Sequence, residues 1–496
     1  MMKNLKTGLV IGGSIGGLLA ARVLSDFCSK VLIVEKDTFP DGPEHRNGTP
    51  QAFHPHRITP RGKAIIDRFF PDYEQDLVSH GAPSSLNKII HQHNQFGTMV
   101  SPYPRNDIKF SRAVLEYVIR ERVRKIDNIH FLQKHDVLSL TASSETDRIT
   151  GVLARDRETD LSPFPIEADL VIDTSGRTSK LSQWLVDLGF TVPLPDKMTA
   201  NIGYSTRRYK LPPGKEHLAD KWDAVNVGGT PGKTFLGAFS FIENQVAETI
   251  LYRPDGVFPP SDPDQFEREI GRLPSPLISE LISGLEPITP PKGFRVPCLF
   301  RHHFDQMVNW PPGLLVLGDA YSNFDPIFGQ GMTVAAIEAE LLYKELGRND
   351  SDPPKTGFER TMLKKFQHVI EAAWWLNCAA DLRWEGVGYE GAQPLKGIEF
   401  GQTYMDFYLK YATEKQDWKL YGLYWAVNTL SVSPKAIFNP EMVQIVLSSS
   451  PSGQNELDQL KNGNSLENAL RDILPDFSEE IFAPEKMNKL EVRREN

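Results

Sequence analysis

The segment Gly12-Gly13-Ser14-Ile15-Gly16-Gly17, with Glu35 eighteen residues after Gly17, has the spacing of a dinucleotide fingerprint. In that pattern the first glycine, Gly12, allows the tight turn, and Ser14 stands at the middle glycine position, where backbone must approach a pyrophosphate. Gly17 lets helix pack on strand, and Glu35 takes a ribose hydroxyl. The helix N-terminus would then face the phosphate charge. An ordinary glycine turn of an α/β fold is the competing reading. A second constellation, Leu314-Leu315-Val316-Leu317-Gly318-Asp319-Ala320, ends a buried strand in Gly-Asp, and the glycine-rich run Asp325 to Met332 follows it. By itself this is also compatible with a strand, a loop and a helix with a capping aspartate. His54-x-His56 and His91-x-His93 have no third ligand spaced nearby, so no metal is expected, and such histidines suit a loop wall or the polar groups of a substrate.

These residues need elements to hold them. The run 8–11 reads as a short buried strand, Leu18 to Phe27 has helical spacing, and Val31 to Val34 is a second buried strand ending at Glu35. Residues 40–110, rich in Pro, His and Asn, read as a loop region over a site. Ser111 to Lys125 reads as a helix with Ser111 as its cap. Ile129 to Leu140, Gly151 to Arg155 and Leu170 to Asp173 read as strands. From about residue 198 short alternating segments (Ala200–Lys210, Phe235–Ile242, Ala247–Tyr252) predict an antiparallel sheet. Gly313 to Leu317 is again a parallel-type strand and Met332 to Leu346 a helix. Beyond 355 the chain reads as helical and aromatic. Trp374, Trp375, Trp384, Trp418 and Trp425 fall there, as a substrate lid or as the surface that docks the segment on its own core.

Composition narrows the class. A hydrophobic fraction of 40% and a charged fraction of 24% are those of a globular protein, and 496 residues bury a large core without staples. A net charge of −9 and the lack of any Lys/Arg block argue against a nucleic-acid partner. Cys28, Cys298 and Cys378 are too scattered for a disulfide framework or a zinc knuckle. They suit a reducing, cytoplasmic setting. Lys3 and Lys6 before an apolar run imitate a signal peptide, but the four glycines in the run and the second strand after it favour strand–turn–helix–strand. No stretch reaches the length of a transmembrane helix.

The Gly318-Asp319 strand end with Pro326, Gly329, Gly331 and Met332 resembles the second FAD motif of the aromatic-hydroxylase-like flavoprotein monooxygenases. Ser111-Arg112-x-x-Leu115-Glu116 and Asp169 to Arg177 resemble two further motifs of that family, and the resemblance puts Arg112 on the cofactor. Val10–Glu35, Glu44–His56, Asp169–Leu185 and Trp310–Ala336 are similar to the bacterial olefin epoxidases of polyether biosynthesis, over about residues 8–345, a resemblance that would place His54 and His56 near the flavin. The resemblance implies an α/β fold: a Rossmann-like FAD-binding domain at 1–195 with a loop insertion at 40–110, an antiparallel β substrate domain at 196–310, a return to the first domain at 311–350, and a helical C-terminal region at 355–496. It implies FAD as cofactor, held by Gly12, Gly13, Ser14, Gly17, Glu35, Lys36, Arg46, Arg112, Val137, Asp319, Pro326, Gly329, Gly331 and Met332. A flavin C4a-hydroperoxide would deliver one oxygen atom of O2 to a small lipophilic polyketide- or terpenoid-like substrate, with no catalytic protein residue or metal assigned. NADPH or NADH would supply electrons. Ser175-Gly176 stands where the hydroxylases usually carry Asp-Gly, so a separate flavin reductase is a possible partner. A reductase of isoprenoid double bonds, a flavin-dependent halogenase (whose W-x-W-x-I-P signature is absent) and a catalytically silent FAD-binding partner are the alternatives.

Overall fold

The computed structural model describes residues 5–103, 105–159, 162–230, 232–348 and 357–482. Lys3, the junction near 350–355 and the end of the helical region beyond 482 lie outside the described residues. Five parallel strands form the first sheet, in the order Leu314–Val316, Leu170–Asp173, Leu5–Ile11, Cys28–Val34, Ile129–Leu132. Their sequences are nearly continuous runs of Val, Ile and Leu, because helices cover the sheet and both faces are buried. Leu9, Val10, Val31, Ile33, Val171 and Leu315 have no solvent exposure.

The helix Ile15–Phe27 makes the crossover between the first two strands, and the helix Gly331–Arg348 packs beside it. Two glycines make this connection possible. Gly12 sits at φ +99°, where a side chain would be strained. A Cβ on Gly17 would lie 1.9 Å from the Gly12 carbonyl oxygen, so the helix rests directly on the turn. The helix Arg112–Arg124 starts at Ser111, whose hydroxyl accepts from the Val114 N–H.

The second sheet has eight strands. Its path runs Glu286–Pro287, Ile202–Lys210, Val246–Arg253, Leu236–Ile242, Trp222–Val227, Ile89–Asn94, Gly97–Pro102, and Lys292–Val296 also pairs with Ile202–Lys210. All pairings are antiparallel except Trp222–Val227 with Ile89–Asn94. Residues 40–110, expected to be loop, therefore supply two strands to this sheet, together with the helices Pro60–Phe69 and Tyr73–Ser79. Along Leu236–Ile242 the period of two divides the work. Phe239 and Phe241 join a small core with Phe266, Ile270 and Ile278, while Leu236 and Ala238 face the main body of the protein.

The C-terminal part is helical, with Phe358–Asp381, Ile398–Glu414 and Trp418–Asn428 as its longest or best-placed elements. Its tryptophans divide between the two roles expected of them. Trp374, Trp375 and Trp384 are buried, and the Trp375 ring packs 5.3 Å from Phe438 and 5.2 Å from Phe477. Trp418 and Trp425 instead line a cavity. No helix among the described residues is long and apolar enough to cross a membrane.

Candidate cofactor and substrate site

A single cavity of 1790 Å³ runs between the parallel sheet, the eight-stranded sheet and the C-terminal helices. Small-molecule sites usually occupy roughly 300–1,000 Å³, so this volume accommodates more than one occupant. Gly12, Gly13, Ser14, Glu35, Lys36, Arg46, Arg112, Val137, Asp319, Pro326, Gly329, Gly331 and Met332 all line it. Gly17 does not; its place is the contact between helix and turn.

At one end the fingerprint turn meets a buried charge cluster. Glu35 accepts from the Gly13 N–H at 2.8 Å and the Asp37 N–H at 3.0 Å. Arg46 lies between three carboxylates: Glu116 at 2.7 Å, Asp37 at 3.0 Å and Glu35 at 3.4 Å. Burial opposes its charge, but Glu116, Glu35 and Asp37 outweigh burial and hold the guanidinium above its ordinary pKa. Arg112 pairs with Glu116 at 2.8 Å and donates to the Ser14 hydroxyl at 2.8 Å. The Ser14 side chain is thus drawn sideways into the cluster, and Ser14 makes no side-chain cap on its own helix. Burial pulls Arg112 below its ordinary pKa, and its Nη1 is buried with no hydrogen-bond partner. An orphaned guanidinium nitrogen beside an uncapped helix N-terminus fits a pyrophosphate.

Asp319 follows the strand Leu314–Val316. Burial raises its pKa, Arg177 and Arg112 pull it the other way, and among the described residues nothing hydrogen-bonds its carboxylate. That is the arrangement a ribityl hydroxyl would complete. Below it, Glu338 accepts from the Gly318 N–H at 2.7 Å, and burial pushes its pKa up to about 8. The turn Pro326–Gly329 closes with Gly329 at φ +64°.

Behind this turn three parts of the chain meet. Tyr252, from the eight-stranded sheet, donates its hydroxyl proton to Asp325. Asn377, in the helix Phe358–Asp381, accepts from the Asp325 N–H at 2.5 Å and donates to Gln330 at 2.6 Å. The carboxyls of Asp325 and Asp381 face each other, both fully buried, and burial followed by mutual repulsion raises Asp381 well above the carboxylate range. Asp325 is raised as well, by burial. The folded protein therefore keeps a proton that the unfolded chain releases. This contribution to stability is complete below the ordinary carboxylate range and is lost as pH rises through the shifted titration. Asp381→Asn is expected to raise the melting temperature more at about pH 8 than at about pH 5, because the amide never has to ionise in the buried site. Thermal melts at the two pH values check this.

The other end of the cavity is apolar and aromatic. Leu236, Ala238 and Ile250 come from the sheet; Trp418, Tyr421 and Trp425 come from the helix Trp418–Asn428. Glu248, also on this wall, is pushed up to about 7 by burial against the pull of Arg208, 3.3 Å away. His91 and His93 lie two apart on the strand Ile89–Asn94, and His93 Nδ1 bonds the Thr98 hydroxyl at 2.7 Å.

No protein-family model matches the chain. It is 28% identical over 405 residues to protein Rv3254 of Mycobacterium tuberculosis, covering 78% of this chain and 82% of that one. Among solved structures, the flavin-dependent brominase Bmp2 superposes with a TM-score of 0.59 at 14% identity, over 92% of this chain and 99% of its own. PqsL, a probable FAD-dependent monooxygenase from Pseudomonas aeruginosa, gives 0.54 at 17%, over 76% and 97%. The myxobacterial chondrochloren halogenase CndH gives 0.54 at 14%, over 94% and 96%.

The fold is that of flavin-dependent monooxygenases and halogenases. Within this flavoenzyme fold, several cavity or supporting residues escaped the sequence reading. Asp37, Glu116 and Arg177 lay inside or beside quoted motifs, and Glu116 carried a signal, since it stands four residues after Arg112 on one helix face. Tyr252 and Asp381 carried none, because their neighbours at the turn are far away in sequence.

Proposed function

We propose that the protein is an FAD-dependent monooxygenase that inserts one atom of O2 into a small lipophilic molecule. One observation carries this reading: the expected cofactor residues, Gly17 apart, line the same cavity as an apolar, aromatic chamber large enough for a second occupant. FAD would be held at its pyrophosphate by the Gly12–Ser14 turn and Arg112, at the adenosine ribose by Glu35, and at the ribityl chain by Asp319. When bound it supplies the oxygen activation. The chain's residues bind and orient the reactants and keep water out. Leu236, Ala238 and Ile250 form an apolar floor, and Trp418, Tyr421 and Trp425 cover it, which favours a polyketide- or terpenoid-like substrate over a polar metabolite. Electrons would come from NADPH or NADH. Ser175-Gly176 in place of Asp-Gly favours delivery through a separate flavin reductase. Epoxidation of an alkene, as the resemblance to the olefin epoxidases implies, is the specific reaction we assign.

Halogenation is the second reading, favoured by the structural likeness to Bmp2 and CndH. Purified enzyme with FAD, a flavin reductase, a nicotinamide, labelled O2 and bromide, offered a panel of polyenes and terpenoids, separates the two. Products that carry one labelled oxygen support the proposal; brominated products without label reject it in favour of halogenation. Reduced, unlabelled products would instead make the protein a double-bond reductase.

A further inference from the structure

His54-x-His56 has no part in the proposed function above, yet both histidines line the cavity. Their loop is fastened to the cofactor end at two points. A Cβ on Gly329 would stand 3.3 Å from the Arg57 carbonyl oxygen, and the Thr59 and Thr333 hydroxyls bond at 2.8 Å. It is fastened to the substrate sheet as well. The His54 ring meets the Tyr204 ring edge-on at 4.5 Å, and His54 Nδ1 bonds the Thr206 hydroxyl at 2.9 Å. His56 therefore stands at the junction of the two halves of the cavity and has little freedom to move.

The tautomer of His56 follows from its partner. Its Nδ1 lies 2.8 Å from the His54 carbonyl oxygen, which can only accept, so Nδ1 carries the proton. Burial, and then the nearby Arg112 charge, hold the ring neutral, with a pKa of about 4. Glu116, on the same helix as Arg112, and the His54 carbonyl pull weakly the other way, and His45 adds to the lowering. In the neutral ring Nε2 is then a pure acceptor. It makes no hydrogen bond among the described residues, and His56 is only half-buried, at the cavity surface. A lone pair held in place on the cavity wall is met only by a donor that enters the cavity.

We propose that His56 Nε2 accepts a hydrogen bond from a substrate hydroxyl, so that the site takes lipophilic alcohols or phenols in preference to hydrocarbons or ethers. This rests on the proposed function and narrows its substrate class. His56 orients the substrate through this bond. As a neutral ring beside Arg112 it is an acceptor and not a base that removes the proton.

The test is binding to the FAD-loaded enzyme, read by quenching of tryptophan fluorescence. The probes are farnesol and 4-octylphenol, each against its methyl ether. The wild type is expected to bind the alcohol and the phenol about tenfold more tightly than the ethers, the effect of one hydrogen bond. His56→Phe should abolish the difference, and His56→Gln, whose amide oxygen accepts, should keep part of it. Equal binding of alcohol and ether by the wild type, a preference that survives in His56→Phe, or no binding of either hydroxyl probe overturns the proposal. So does a loss of FAD from His56→Phe, which would make the histidine a cofactor contact. FAD content and labelled-oxygen incorporation, read separately, judge the monooxygenase reading, so failure of one is distinguishable from failure of the other.

Discussion

Arg46→Ala is expected to destabilise the protein by about 3–5 kcal/mol, the usual cost of removing one member of a buried ion cluster. The reason is the asymmetry of the cluster. Among the described residues Arg46 is the one cation that touches Glu35, Asp37 and Glu116 together, and the side chains of all four residues are at most 14% exposed. Without it Glu116 retains Arg112, but Glu35 and Asp37 are left as neighbouring carboxylates with no cation in contact among the described residues. The Arg46 guanidinium also lies over the Phe39 ring at 5.3 Å, and Phe39 packs against the fingerprint turn at Gly13. The loss should therefore spread to the turn, and FAD content should fall with stability. Arg46→Lys should recover only part of either, since a single ammonium cannot span three carboxylates with the planar fork of an arginine. Urea unfolding of the three proteins, with flavin content read on the same samples, checks the expectation. An unchanged midpoint in Arg46→Ala would mean that the cluster adds nothing to stability.

Asp319→Ala is expected to separate binding from folding. No hydrogen bond within the described protein is lost with this carboxylate, and burial already penalises its charge. The melting temperature without cofactor should therefore hold or rise. FAD affinity should fall at least about tenfold, because a bond to a charged group is worth about 1.5–3 kcal/mol. Asp319→Asn should lie between the two. Titration of the cofactor-free proteins with FAD, followed by fluorescence quenching, measures this. An affinity equal to the wild type would remove Asp319 from the cofactor site and would move the second motif elsewhere. The contrast with Arg46 is informative. One residue is embedded in protein partners and supports the site by holding the fold; the other makes no hydrogen bond among the described residues and acts mainly on what enters the cavity.

The resemblance to flavoprotein monooxygenases was readable because its motifs are local. A Cβ at Gly17 would collide with a carbonyl five residues earlier, and the acid at Glu35 caps a strand that directly follows the helix. Turn, helix and strand of this kind impose short-range rules on residue type, and such rules survive in a single sequence. Ser14 shows the limit. Its departure from glycine was visible, but its consequence depends on Arg112 and Glu116, about a hundred residues away. The same limit explains the segment 40–110. The strand Ile89–Asn94 reads Ile-Ile-His-Gln-His-Asn, too polar to suggest a strand, because part of it faces the cavity and its parallel partner is Trp222–Val227.

What the amino-acid order determined by itself was the dinucleotide-type turn, the alternation of helices with buried parallel strands, and the change to antiparallel segments after about residue 198. Each depends on steric and hydrophobic periodicity within a few turns of chain. Tertiary structure alone decided that Asp325 shares its buried surroundings with Tyr252 and Asp381, that Trp418 and Trp425 line the cavity while Trp374, Trp375 and Trp384 are buried, and that His56 presents a bare acceptor where the two halves of the cavity meet. Those outcomes depend on pairs of residues brought together by packing across long separations, and neither residue type nor spacing encodes which distant partner a side chain will meet.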